Sequence, residues 1–147
     1  MTALPAARPD AYVLEDQVGH LLRRAHQRAT AIFMASLGEH FDLTPTQYAA
    51  LVKLRDEGEA SQNRLGRLIA IDPATIQGVI RRLEERRLIE RAADEGDRKR
   101  SKLRVTREGA ALVDTATAYG AEVTRETLAP LAPAERARFL ALLRQLA

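Results

Sequence analysis

Near Arg87 the hydrophobic period of this chain changes from helical to extended, directly after three short helical segments that each carry a start signal. That order constrains the fold more than any single residue. Apolar residues at i, i+3, i+4 and i+7 mark a helix, and strict alternation marks a half-buried strand. The first segment opens on Thr44-Pro45-Thr46-Gln47, a capping box in which Thr44 accepts the Gln47 amide and Gln47 reaches back to Thr44. Pro45 sits where a missing N–H costs nothing. Tyr48, Leu51, Val52 and Leu54 then point inward, and Gly58 stops the element. The second segment, about 61–69, uses Leu65, Leu68 and Ile69. The third opens on Asp72-Pro73 and carries Ile76, Val79, Ile80 and Leu83 on one face. Two short strands follow, 88–91 and 102–106, around a ten-residue polar turn, 92–101, that contains Gly96 and the run Asp97-Arg98-Lys99-Arg100.

Three helices followed by a two-stranded hairpin predict a winged helix-turn-helix, in a chain that is mainly α with a small β-hairpin wing. In that layout 61–69 supports, 72–83 is the recognition helix and 92–101 is the wing. Longer helices flank this lobe. One is expected over 14–37, with Val18, Leu21, Leu22, Ala25, Ala29, Ile32 and Phe33 in an apolar stripe and Gly38 as its stop. Thr106 caps another over 107–128, with Val113, Ala116, Gly120 and Val123 inward. After Pro130 and Pro133 comes a last helix rich in leucine, with Phe139, Leu140, Leu142, Leu143 and Leu146. These flanks are too apolar to serve one small lobe, and a second copy of the chain is the simplest partner. The expected organisation is a single chain with a DNA-binding lobe over 43–106 and dimerisation helices over 13–37 and 107–147. Residues 1–11, rich in Pro and Ala, read as a loose arm.

An apolar share of 46% over 147 residues supports a packed core. The absence of Cys excludes disulfides, thiolate metal sites and thiol redox sensing. No apolar run approaches the roughly 18 residues of a membrane span. Residues 1–10 lack the basic start and apolar middle of a secretion signal, so a soluble, cytoplasmic protein is expected. Net charge is only +3, but it is unevenly placed: 61–107 holds 13 Lys/Arg against 7 Asp/Glu, while the rest holds 10 against 13. A basic middle between mildly acidic flanks fits a nucleic-acid-binding segment, or an ordinary solvated surface. Gly-rich phosphate loops, metal triads and a supported Ser-His-Asp pattern are all missing, so no active site is expected. Two other classes stay open at this level: a winged protein-interaction module docking an acidic partner, and a degradative enzyme of aromatic acids.

A helix in the major groove needs short donors and acceptors near its start and cations further along. Thr75, Gln77 and Arg81 fit base edges, with Gln suited to adenine and Arg to guanine. Gly78 either admits the backbone close to DNA or merely weakens the helix by ~1 kcal/mol. Arg82, with Arg64 and Arg67 of the supporting helix, is suited to phosphates. In the wing, Arg98 is the choice for a minor groove, where A·T tracts concentrate negative potential, and Lys99 and Arg100 for phosphates. On the first long helix, Gln17, His20, Arg24 and Gln27 form one polar stripe at three- to four-residue spacing. His and Arg together can clamp a small carboxylate; the plainer reading is dimer contacts or a solvated face. Arg23, Arg28 and Tyr48 are secondary candidates. His20 and His26, six apart, share no helix face and have no carboxylate to complete a metal set; no metal or cofactor is expected.

The chain resembles the MarR (multiple antibiotic resistance regulator) family of bacterial transcription factors. The resemblance rests on Leu43-Thr44-Pro45-Thr46-Gln47-Tyr48, on Asn63-Arg64-Leu65-Gly66 and on the stretch from Thr75 to Leu83. It continues through Gly96-Asp97-Arg98-Lys99-Arg100-Ser101-Lys102-Leu103 and closes on Val105-Thr106-Arg107-Glu108-Gly109. Gly78 and Arg81 stand where the family varies, as expected of proteins reading different operators. The resemblance implies a ligand-responsive dimer on double-stranded DNA, with an effector cleft between the dimerising helices and the lobe. It also implies that Asp97 orients an arginine rather than touching DNA. The opening helix, from Asp16 to Arg28, is most similar to repressors of nicotinate catabolism, which implies a small aromatic carboxylate such as a hydroxynicotinate as effector and release from a pseudo-palindromic operator.

Overall fold

The computed structural model describes residues 11–94 and 97–147; the side chains of 93–100 lie outside that description, as does the expected loose arm before Ala11. A 3-10 turn, Leu14–Asp16, precedes α1 (Val18–Phe33), a π turn (Met34–Gly38) and α2 (Glu39–Phe41). Then come α3 (Pro45–Glu57), α4 (Gln62–Leu68), α5 (Pro73–Glu85), strands β1 (Ile89–Asp94) and β2 (Asp97–Val105), α6 (Arg107–Leu128) and α7 (Pro133–Leu146).

The start signals work as their chemistry dictates. Thr44 Oγ1 accepts from the Gln47 amide at 3.2 Å while the Thr44 amide donates to Gln47 Oε1 at 3.1 Å, so the capping box is complete. Ser61 caps α4 and Asp72 caps α5 by accepting from the amide three residues on. Thr106 does two jobs. Its hydroxyl accepts from the Gly109 amide at 3.0 Å to start α6, and donates to Arg87 O at 2.7 Å to lock the chain's entry into the hairpin. Gly109 is required there, because a Cβ would lie 2.0 Å from Leu88 O.

Two expectations need correction. Gly38 does not end the first helix: it keeps right-handed helical angles, and the helical path runs on through a π turn to Phe41. The stop is Asp42, in the left-handed conformation at φ 52°, with its amide donating to Gly38 O at 3.0 Å. Asp tolerates that region because its short polar side chain bonds locally. The polar stretch 92–101 is not a ten-residue turn either. The antiparallel ladder continues outward through Ala92↔Lys102 and Ala93↔Ser101, with a register shift before Asp94↔Asp97. Polar side chains do not prevent pairing, since the ladder is made by backbone groups.

The core sits in the lobe. Leu51, Leu54, Leu65, Ile80, Leu83 and Leu103 are fully buried, and Ile76, Ile89 and Leu43 nearly so. A two-residue bridge between Ala60 and Leu103 ties the α3–α4 connection to the hairpin. A smaller cluster of Phe33, Leu37 and Ala116, with Tyr48 and Tyr119 against it, seams the lobe to α1 and α6. Beyond that seam much of the apolar stripe is open: Val18, Leu21, Leu22, Leu142 and Leu146 are exposed.

Candidate nucleic-acid interface and ligand cleft

The outer face of α5 is polar and begins at a fixed cap. Asp72 accepts from the Thr75 amide at 2.9 Å and from the Thr75 hydroxyl at 2.7 Å. Those two bonds, the hydroxyl's first, hold the Asp72 carboxyl below its usual range. With the helix start fixed, Ile76, Val79, Ile80 and Leu83 are buried on one side. On the other side Ala74, Gln77, Gly78 and Arg81 border an open groove of about 430 Å³, closed by Glu84 and by Arg91 of β1. Arg91 is paired with Glu84 at 3.0 Å and donates to Ser101 Oγ at 3.2 Å. The structure thus brings Gln77, Gly78 and Arg81 together. A Cβ on Gly78 would meet nothing within 4 Å, so the fold itself does not demand glycine at that point.

The remaining DNA candidates are distributed around this face. Thr75 and Arg67 are exposed, and Arg64 is ion-paired with Glu57 at 2.8 Å. Arg64's hydrogen bond and charge lower the Glu57 carboxyl's pKa. Arg81 reaches only 4.0 Å from Glu85 and keeps most of its side chain in solvent. Such exposed pairs are weak and exchange readily for phosphate. Arg82 stands apart from the groove, on the flank of α5 that borders a different cleft. The backbone of Asp97, Arg98, Lys99 and Arg100 belongs to β2, and their side chains lie outside the described residues.

The candidate effector residues are not gathered within one protomer. Gln17 Nε2 donates to Val13 O at 2.9 Å, and His20 Nδ1 lies 2.9 Å from an Arg23 guanidinium nitrogen. Arg24 and Gln27 are exposed. Arg28 donates to Glu126 O at 2.9 Å and so serves to hold α1 on α6. Tyr48 belongs to the seam: its ring centre is 5.7 Å from that of Phe33, and a Cβ at Gly120 would lie 2.4 Å from its hydroxyl. Burial raises the Tyr48 pKa, partly opposed by Arg55. His20 is 13 residues from Phe33 along the helical path, about 20 Å.

Sequence reasoning missed a cleft of about 340 Å³ between the end of the first helical arm and α5, bordered by Met34, Asp42, Thr44, Gln47, Arg82, Glu85 and Arg86. The available signal was the pair Arg82 and Arg86, one helical turn apart. Among the described residues no three His, Asp or Glu side chains are grouped to hold a metal ion. No described helix is long and apolar enough to cross a membrane.

Residues 43–101 match the MarR family. The chain is 39% identical over 135 residues to the transcriptional repressor NicR of Pseudomonas putida, an alignment covering 92% of this chain and 85% of that one. Among solved structures it is similar to BpsR of Bordetella bronchiseptica, whose DNA binding is regulated by 6-hydroxynicotinic acid: 40% identity, 92% and 96% coverage, TM-score 0.86. PcaV of Streptomyces coelicolor, solved with its natural ligand, gives 33% identity, 94% and 96% coverage and a TM-score of 0.84. A chain with this winged lobe and these flanking helices is a DNA-binding transcriptional regulator of the ligand-responsive kind. It belongs to the MarR family. Regulators of this family bind DNA operators, act as dimers and respond to small molecules.

Proposed function

We propose that this chain is a homodimeric, cytoplasmic repressor that a small aromatic carboxylate of the hydroxynicotinate type releases from its operator. The observation that carries the reading is the split of α5 into a sealed apolar face and an open polar one at Ala74, Gln77, Gly78 and Arg81. α5 is the recognition helix: Thr75, Gln77 and Arg81 meet base edges, and Gly78 lets the backbone approach. Arg64, Arg67 and Arg82 hold phosphates on either flank. In the wing Arg98 enters the minor groove, Lys99 and Arg100 take phosphates, and Asp97 orients an arginine. The helices over 13–37 and 107–147 form the dimer body, and the lobe over 43–106 hangs from it. A two-fold dimer then requires half-sites about 34 Å apart, one turn of DNA.

The effector reading is supported by the relatives, since NicR is a repressor by name and BpsR answers to 6-hydroxynicotinic acid. Two anchor sets are compatible with a carboxylate. One is the α1 stripe of Gln17, His20, Arg24 and Gln27, which reaches Tyr48 only if a second copy brings the two together. The other is the cleft at Arg82, whose volume suits a single-ring acid. Titrating Arg24→Ala and Arg82→Ala against operator with 6-hydroxynicotinate separates them. Release is scored at matched operator occupancy, because Arg82 is also read as a phosphate contact. The variant that the compound no longer releases marks the anchor; if both are released as the parent is, neither set holds the effector.

A further inference from the structure

Arg86 has no part in the contacts assigned above, yet it makes two side-chain hydrogen bonds across the molecule. It caps the end of α5, and its guanidinium donates to Asp42 O at 2.5 Å and to Phe41 O at 2.9 Å. Phe41 ends α2, and Asp42 is the left-handed residue that stops the first helical arm. The last carbonyls of a helix have no partner within it and carry the negative end of its dipole. A planar fork of N–H donors suits two adjacent carbonyls in a way an ammonium group does not. Arg86 therefore supplies, from α5, the cap for the C-terminal end of the arm.

These are the hydrogen bonds that join α5 to the first arm among the described residues. The other anchors of α5 lie within the lobe: Ile76, Val79, Ile80 and Leu83 in the core, and Glu84 on Arg91. The lobe meets the first arm again through Tyr48 on Phe33, which reaches α3. It meets α6 through Arg55 on Asp114 at 2.9 Å, through Val113 in the lobe core and through Gly109 against Leu88.

We propose that Arg86 is a positioning residue for DNA recognition. Its two bonds set the angle of α5 against the first arm, and in the dimer they set the separation of the two α5 helices. This rests on reading α5 as the recognition helix. Arg86 also borders the 340 Å³ cleft, where a bound carboxylate competes with the two carbonyls for its guanidinium. Charge-assisted bonds to carboxylate are stronger than those to neutral carbonyls, so occupancy loosens the strut.

The chain has no Cys, so Ala74→Cys places a single nitroxide label on α5 of each protomer. Electron–electron distance measurements on the DNA-free dimer then read the separation, and unlabelled protein is titrated with operator in parallel. Arg86→Ala is expected to shift or broaden the distance distribution and to weaken operator binding about tenfold, with dimer mass and far-UV spectrum unchanged. Arg86→Lys, which keeps the charge but reaches one carbonyl at a time, falls between; it carries the test alone if Arg86→Ala does not fold. Unchanged distances overturn the proposal, whether affinity holds or falls, because a loss without movement marks a plain phosphate contact. Absence of any operator preference in the parent protein instead defeats the reading of α5, and the distance measurement still decides the strut.

Discussion

The winged lobe and the terminal arms solve the problem of apolar surface in opposite ways. In the lobe, Leu51, Leu54, Leu65, Ile80 and Leu103 are wholly withdrawn from water by its helices and hairpin together with Val113 at the start of α6. In the arms, residues with the same helical spacing stay open: Val18 is 64% exposed, Leu142 51% and Leu146 72%. Periodicity tells which face of a helix is apolar, but not whether the same chain covers it. The lobe is covered within one copy of the chain, with the start of α6 completing its core. The arms keep an apolar face that one copy leaves open, and on the proposed reading a second copy covers it and turns one recognition helix into two.

The comparison can be broken at its strongest point first. Leu54→Ala empties a site with no exposure and is expected to cost about 2–5 kcal/mol. Urea melts should show that loss equally at low and high protein concentration. Leu21→Ser with Leu142→Ser attacks the arms instead. Each of these leucines is half open, leaving about 1 kcal/mol of burial to gain from a partner. Sedimentation should show dimer dissociation at higher protein concentration, with the lobe's melting little changed. Equal damage to the monomer by both sets would erase the distinction between the two regions.

Smaller changes sharpen it. Gln77→Ala lies on the open face of α5 and leaves folding intact; it is expected to relax preference at one base pair per half-site by about 1–3 kcal/mol. A uniform loss over all sequences would show that Gln77 does not read bases. The smallest effect concerns the α5 cap. Asp72 has its pKa lowered from 3.8, first by the Thr75 hydroxyl and then by the Thr75 amide. A carboxylate depressed in the folded state stabilises above its unfolded pKa, and that contribution is lost as pH falls through the folded value. The stability advantage of the parent over Asp72→Asn should therefore be present at pH 6 and shrink below about pH 4, in thermal melts at matched salt. A constant difference would mean that the carboxylate's charge is not what holds the cap.

Much of the lobe was legible because its signals are local. Thr44, Asp72 and Thr106 bond to amides three residues on, and the stripe from Ile76 to Leu83 faces the core as its spacing requires. The same locality grouped Gln77, Gly78 and Arg81. What was not legible depends on partners far along the chain or absent from it. Gly38 looked like a stop, but Asp42 takes the left-handed turn, and what fastens that turn is Arg86, 44 residues later. Backbone pairing carried the hairpin outward through residues whose polarity spoke for a loop. The packing of Tyr48 between Phe33 and Gly120 in the seam was likewise not visible from spacing. On the α1 stripe, Arg24 and Gln27 are exposed.

The central claim is tested most directly by titrating the protein onto the DNA just upstream of its own gene, against scrambled DNA of equal composition. Fluorescence anisotropy would be read at two salt concentrations, with and without 6-hydroxynicotinate. The account predicts tight, salt-sensitive preference for the upstream DNA and release by the compound. Equal binding to both DNAs at both salts would contradict it, and specific binding that ignores the compound would retain the regulator and remove the effector.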